Sequence, residues 1–247
     1  MFNPLQRVDE IVARIPFSVM RPGVDHRDLP VYSLAEAASF LDIPTSTLRW
    51  WVFGGTTGIS HHWNAPLIER PAGSDDLISF NNLAELHILS VTTKRHNVKL
   101  KAIRHAVEHI KNEFPSPHPL LSEAFYTNGQ DLFLKTIEQT INVSRHGQLA
   151  LKPILDLYLE RIIRDEQFMP IKIYPITRGQ KTERVVSIVP TVSSGRPIID
   201  GYGVPVSSIW GRYRAGDSPD FLANDYEIPL DRIKGAISYV EYYAAAA

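Results

Sequence analysis

The sequence predicts a mainly α chain with small β elements, an α+β fold, and three observations carry that expectation. Two short apolar-striped helices meet across a tight turn within residues 33–53, two longer helices follow within 82–114, and a helical, aromatic-rich section closes the chain. Between these, short apolar runs bracketed by Pro, Gly and Asp have the length and flanks of strands. With 247 residues, 44% of them hydrophobic and 21% charged, the chain can bury one large core or two smaller ones.

Residues 1–30 mix short apolar pieces with Pro4, Pro16, Pro22 and Pro30, and are expected to form a partly helical arm packed on another element. No secretory signal is expected there, because Asp9 and Glu10 arrive before any apolar stretch develops. Ser33-Leu-Ala-Glu36 is a capping box, in which hydroxyl and carboxylate each satisfy an orphaned backbone N–H. Leu34, Ala37, Ala38 and Leu41 then place one apolar stripe on a short helix, which Asp42-Ile43-Pro44 ends. Thr45-Ser46-Thr47 is expected to cap a second helix with Leu48, Trp51 and Val52 on its inner side. Two such helices about a tight turn make a helix-turn-helix unit.

Gly54 to Asn64 reads as a loop, and Leu67-Ile68 with Leu77-Ile78-Ser79-Phe80 reads as two strands of a wing about the turn Pro71 to Asp76. Helices at about Asn82 to His96 and Leu100 to Phe114 lead to Pro115-Ser-Pro-His-Pro119, the first expected domain boundary. In the next stretch, Ile154, Leu155, Tyr158, Leu159 and Ile162 recur at helical spacing within 152–164, and strands are expected at Pro170 to Ile176 and Val185 to Val189. From about Thr191 a strand at Arg196 to Ile199 precedes a helix, Val206 to Ala215, stopped by Gly216. Ser218-Pro219 caps and starts another helix, and Pro229-Leu230 starts the last, with Leu230, Ile233, Ile237 and Val240 on one stripe. The expected divisions are an arm at 1–30, a helix-turn-helix domain at 31–115, an α/β linker or dimerisation region at 116–190, and a trihelical unit at 191–247.

Lys and Arg number 26 against 27 Asp and Glu, so any surface for a polyanion must be local. Zero cysteines exclude disulfides, thiol nucleophiles and thiolate metal centres, and no apolar run approaches a membrane span; a cytoplasmic protein is expected. Thr45, Ser46, Thr47 and Arg49 sit near the exposed N-terminal end of the second helix, the end that enters the major groove in this motif. Trp50 on that helix and Arg70 beside the expected wing join them as candidate DNA contacts. So do Lys94 and Arg95, which open a run of six bases against one acid up to Lys111. His61-His62 and the i,i+4 pair His105 and His109 lack a third ligand, so no metal and no cofactor are expected. No Gly-x-Ser-x-Gly elbow or phosphate loop occurs, Gly201-Tyr-Gly203 lacks the third glycine of a dinucleotide loop, and no catalytic residue is assigned. Beyond residue 211, four bases face six acids among Trp210, Tyr213, Tyr226, Tyr239, Tyr242 and Tyr243, the composition of a protein-binding surface rather than a DNA reader.

Tyr32 to Leu41 and Pro44-Thr-Ser-Thr-Leu-Arg-Trp-Trp51, followed by Pro66-Leu-Ile68 and Ser79-Phe80, resemble the MerR-like winged helix-turn-helix over about 31–113. The chain departs from that pattern in the insertion Gly54 to Asn64 and at Asp76-Leu77, where the family's wing carries a basic contact. Ser194-Gly-Arg-Pro-Ile-Ile-Asp-Gly-Tyr-Gly-Val-Pro-Val206, Arg214-Ala-Gly-Asp-Ser218 and Ile233-Lys-Gly-Ala-Ile-Ser-Tyr239 resemble the small trihelical domain of antitoxins in VapB-type pairs, over about 191–243. Together the two resemblances imply a non-enzymatic antitoxin that represses its own operon by binding promoter DNA as a homodimer and inhibits a PIN-type ribonuclease toxin. Trp210, Tyr213, Tyr239, Tyr242 and Tyr243 are then the candidate toxin contacts. The alternative is a MerR-like regulator sensing a small molecule through 120–190, which needs an apolar pocket there.

Overall fold

The computed structural model describes residues 25–57, 62–71, 73–74, 76–94, 100–141, 145–175 and 184–246, with side chains described at all of these except 57, 62, 92–94, 138–141, 145–151 and 243–246. The chain is mainly helical with three small antiparallel sheets. β1 (Tyr32–Ser33) leads into α1 (Leu34–Leu41), where the expected capping box is formed. Ser33 accepts from the Glu36 N–H at 3.3 Å and the Glu36 carboxylate accepts from the Ser33 N–H at 2.9 Å. Asp42, left-handed at φ 51°, closes α1, and α2 (Thr45–Phe53) follows. The expected cap at Thr45 to Thr47 is corrected: Pro44 occupies the cap position without a side-chain bond, so Thr45 and Ser46 stay exposed.

A further correction concerns the hairpin. Gly54 to Asn64, expected as a loop, contains β2 (Gly55–Thr57) and β3 (His62–Asn64) paired antiparallel, with Thr56 opposite Trp63. Leu67 and Ile68 are buried outside any strand, while β4 (Leu77–Ile78) pairs with β1, Tyr32 opposite Ile78. Tyr32 and Ile78 are buried side by side, so this pairing is tied to the core. Gly54, at φ +68°, and Gly55 make the hairpin possible: a Cβ on Gly54 would lie 2.1 Å from the Asn64 carbonyl oxygen, and one on Gly55 2.8 Å from the Trp50 ring.

α3 (Phe80–Lys94) starts two residues earlier than expected, because Ser79 and Asn82 exchange side-chain-to-backbone bonds of 3.1 and 3.3 Å at its head. It packs with α6 (Arg145–Leu159), while α5 (Gln130–Ile141) packs with both α6 and α4 (Leu100–Glu113). A π-turn at Phe125–Gly129 leads into α5. One apolar core runs from Tyr32 through the helix-turn-helix, α3 and α4 and on to Phe125, Phe133, Leu155 and Ile173, so it takes in both sides of the Pro115 to Pro119 cluster. Ile162, read from its spacing as helical, instead begins β5 (Ile162–Arg164), the first strand of a sheet ordered β5-β6-β7-β8.

In that sheet β6 is Pro170–Ile173, β7 Val186–Ile188 and β8 Pro197–Ile199. The sheet's last strands pass into a second core, where Val186 and Ile199 meet α7 (Val206–Arg214), α8 (Pro219–Tyr226) and α9 (Leu230–Ala246). The predicted cap of α8 is present: Ser218 accepts from the Phe221 N–H at 3.1 Å, with Pro219 in the first turn. Three contacts tie this unit to α1 and its ends. Tyr32 donates to the Gly195 carbonyl at 3.1 Å, Arg196 pairs with Glu36, and Tyr242 donates to the Asp42 carboxylate at 3.0 Å.

Candidate nucleic-acid interface

α2 divides its residues cleanly. Leu48, Trp51 and Val52 are buried at the one-per-turn spacing that fixes the helix on the core, and Thr45, Ser46 and Arg49 lie on the opposite, exposed side. A helix N-terminus offers unpaired N–H groups, and small hydroxyls there leave room for a phosphate or base edge to approach. Thr47 and Trp50 are half-buried; the Trp50 ring lies under Gly55 and props the hairpin.

Arg49 and Arg70, twenty-one positions apart, meet at one side chain. The Arg49 guanidinium carbon is 5.1 Å from the centre of the Phe53 ring and that of Arg70 is 4.4 Å from it. Cation–π contact of this kind restricts two long side chains, so both guanidinium groups are held beside the exposed face of α2. Arg70 also donates to the Ser74 carbonyl at 3.4 Å. From Ile43 to Ile68 the chain carries Arg49 and no acidic residue, so this segment holds no carboxylate to repel a polyanion.

The basic run farther on is used differently. Arg104 donates to the Ala65 carbonyl and burial lowers its pKa, while Lys111 pairs with Glu69 at 3.6 Å; both hold α4 to the segment after the hairpin. Lys94 ends α3 with its side chain outside the described residues, and Arg95 lies outside them altogether. Of the histidines weighed for a metal, His109 contacts the Thr136 hydroxyl at 3.1 Å, and the described residues contain no group of three or more potential ligands.

The aromatic residues of the C-terminal unit are not all on its surface. Tyr239 is 5% exposed and belongs to the second core, and Tyr242 is half-buried against Asp42. Trp210 and Tyr213 are half-buried on α7 with ring centres 5.9 Å apart, and the Arg214 guanidinium lies over Trp210 at 5.8 Å. The Tyr243 side chain lies outside the described ones. Sequence reasoning missed two neighbours: Arg212, gripped by Asp217 at 2.7 Å and by Asp225, and the exposed Phe221, whose ring lies 5.5 Å from the Arg212 guanidinium. The alternation of acids and aromatics over 217–226 was the available signal.

Known proteins match both halves of this picture. Residues 30–107 match the family described as "Putative DNA-binding HTH domain", and residues 186–240 match the DUF433 family, described as a protein of unknown function. A Mycobacterium tuberculosis protein named "Putative antitoxin VapB45" is 28% identical over 236 residues, covering 86% of this chain and 95% of that protein. The crystal structure of Rv2018 from Mycobacterium tuberculosis superimposes with a TM-score of 0.65 at 25% identity, covering 85% of this chain and 98% of that one. No helix among the described residues is long and apolar enough to cross a membrane. Over most of its length, then, the chain is similar to a protein named as a VapB-type antitoxin, with a helix-turn-helix DNA-binding domain in front and a DUF433 domain behind.

Proposed function

We propose that this protein is the antitoxin of a toxin–antitoxin pair, which binds its own promoter through α2 and inhibits a PIN-type ribonuclease through its C-terminal unit, without catalysing a reaction itself. The observation that carries the DNA half is the sorting of α2: its inner face is spent on the core, and its outer face offers Thr45, Ser46 and Arg49 beside Arg70. Thr47 contributes a hydroxyl at the edge of that face. Lys94 and Arg95 extend the phosphate-binding surface in this reading. Two recognition helices are needed for a palindromic site, so the working species on DNA is a homodimer.

For the partner half, the similarity to an antitoxin over nearly the full length is the support, together with the acidic and aromatic make-up of α7 and α8. Trp210 and Tyr213 are the aromatic anchors of that surface, Tyr239 shapes it from the core, and Tyr242 and Tyr243 extend it along the end of α9. Half-buried aromatic side chains beside carboxylates form a surface with a desolvated centre and a charged rim.

Arg49→Ala tests the DNA half. It is expected to weaken binding to the duplex directly upstream of the coding sequence by about 1–3 kcal/mol and to reduce the salt dependence of binding by roughly one counterion. Thermal stability should stay unchanged, because Arg49 is exposed. Fluorescence anisotropy over a salt series measures both quantities, and an affinity equal to that of the wild type removes α2 from the interface.

A further inference from the structure

Trp63 has the highest exposure among the large apolar side chains described, at 60%. An indole left in water contributes little to folding, and a loose loop would carry it at no cost. Its strands are tied to α2 and α4. The Gly54 N–H donates to the Trp50 carbonyl at 3.1 Å and the Leu67 N–H to the Trp51 carbonyl at 2.8 Å, so both ends of the excursion are bonded to α2. The Trp50 ring lies under Gly55, Asn64 donates to the Gly55 carbonyl at 3.5 Å, and Arg104 reaches the Ala65 carbonyl from α4. The fold therefore holds one tryptophan in solvent on an anchored strand, next to the exposed face of the recognition helix.

We propose that Trp63 on β3 is a second DNA-contacting element, which seats its indole against the sugars and base edges of duplex DNA beside the groove entered by α2. The inference rests on the DNA-binding reading above. Duplex DNA is favoured over a protein partner by continuity and by charge: the hairpin grows directly from α2, and the segment from Ile43 to Ile68 lacks any acid. An apolar side chain on a rigid element can fill a groove or wedge at a base step, which a phosphate-binding lysine cannot do. Such a contact neutralises no phosphate, so it adds affinity that salt does not remove.

Full-length wild type, Trp63→Ala, Trp63→Phe and Arg49→Ala are titrated against the duplex directly upstream of the coding sequence and against a scrambled duplex. Light scattering gives the oligomeric mass of each variant, and thermal melting its stability. Trp63→Ala is expected to bind the upstream duplex about tenfold more weakly, with an unchanged salt slope and melting temperature, and Trp63→Phe to retain most of the affinity. Wild-type affinity in Trp63→Ala, with Arg49→Ala weakened, overturns the assignment of Trp63 while sparing the role of α2. A changed oligomeric mass in Trp63→Ala assigns the indole to contact between copies and also overturns it. Failure of the wild type to bind either duplex removes the DNA-binding reading and this inference with it.

Discussion

Trp51→Ala is expected to cost about 3–5 kcal/mol of folding stability and to abolish duplex binding with it. Trp51 is 1% exposed, sits on the inner face of α2 and belongs to the core that continues through Leu48, Leu67 and Ile78. Its carbonyl also accepts the Leu67 N–H at 2.8 Å, so the same residue anchors the chain leaving the hairpin. Truncating the indole leaves a cavity that the flanking helices cannot close without moving α2 relative to α3. Urea denaturation followed by circular dichroism measures the loss. A midpoint equal to that of the wild type would mean that α2 does not sit on this core. The contrast with Arg49, two positions earlier on the opposite face, is the sharpest check of the helix's orientation.

The second large effect lies away from DNA, where His118 bridges two carboxylates. Its Nδ1 is 3.0 Å from Glu85 on α3, and its Nε2 is 2.9 Å from Asp28. Asp28 also accepts from Asn81 at 2.7 Å. Glu85 is only 2% exposed, and burial pushes its pKa up, opposed by His118, Lys111 and Asn82. Burial lowers the pKa of His118, but its bond to Glu85 and the fields of Glu85 and Asp28 outweigh that and raise it above 6.5. Both groups therefore hold protons more tightly folded than unfolded. The stabilisation from His118 is complete below its unfolded pKa and is lost as pH rises through the raised folded value. The buried Glu85 adds to the loss in the same direction.

His118→Leu leaves the Glu85 carboxylate buried without its cation, and should cost about 3–5 kcal/mol at neutral pH. Replacing Glu85 and His118 together by Leu removes the stranded charge and should recover much of the loss, with a weaker fall in stability from pH 6 to pH 9 than the wild type shows. Thermal melts across that range measure this, and a wild-type midpoint that rises with pH would contradict the assignment.

Much of this molecule was legible because its signals are local. The Ser33 and Glu36 box, the inner stripe of α2, the Ser218-Pro219 start of α8 and the strand at Pro197–Ile199 each depend on residues within one turn of one another. What escaped was set at a distance or by polar residues. β1 and β4 are two residues long and pair across more than forty positions, so the apolar run at Leu77-Ile78 was read as half of a local hairpin. The true hairpin is built from Gly, Thr, His and Asn around the single aromatic Trp63, with no strand alternation, and is fixed by the fit of Gly54 and Gly55 against the chain. Ile162 kept the helical spacing of α6, yet sheet pairing with Ile173 claimed it. For the candidate site, the identities of Thr45, Ser46 and Arg49 were readable from the motif, whereas the meeting of Arg49 and Arg70 on Phe53 was not. Nor was the exposure of Trp63, since pattern distinguishes a buried face and not the exception to it.

The claim that matters most is inhibition of a toxin. Co-expression with the product of the neighbouring gene, followed by affinity capture, mass spectrometry and an RNase assay on the captured material, tests it directly. The account predicts a stable complex with a small nuclease whose activity is suppressed until this chain is removed. Purification of this chain alone, beside a folded neighbour that keeps its full activity, would contradict it.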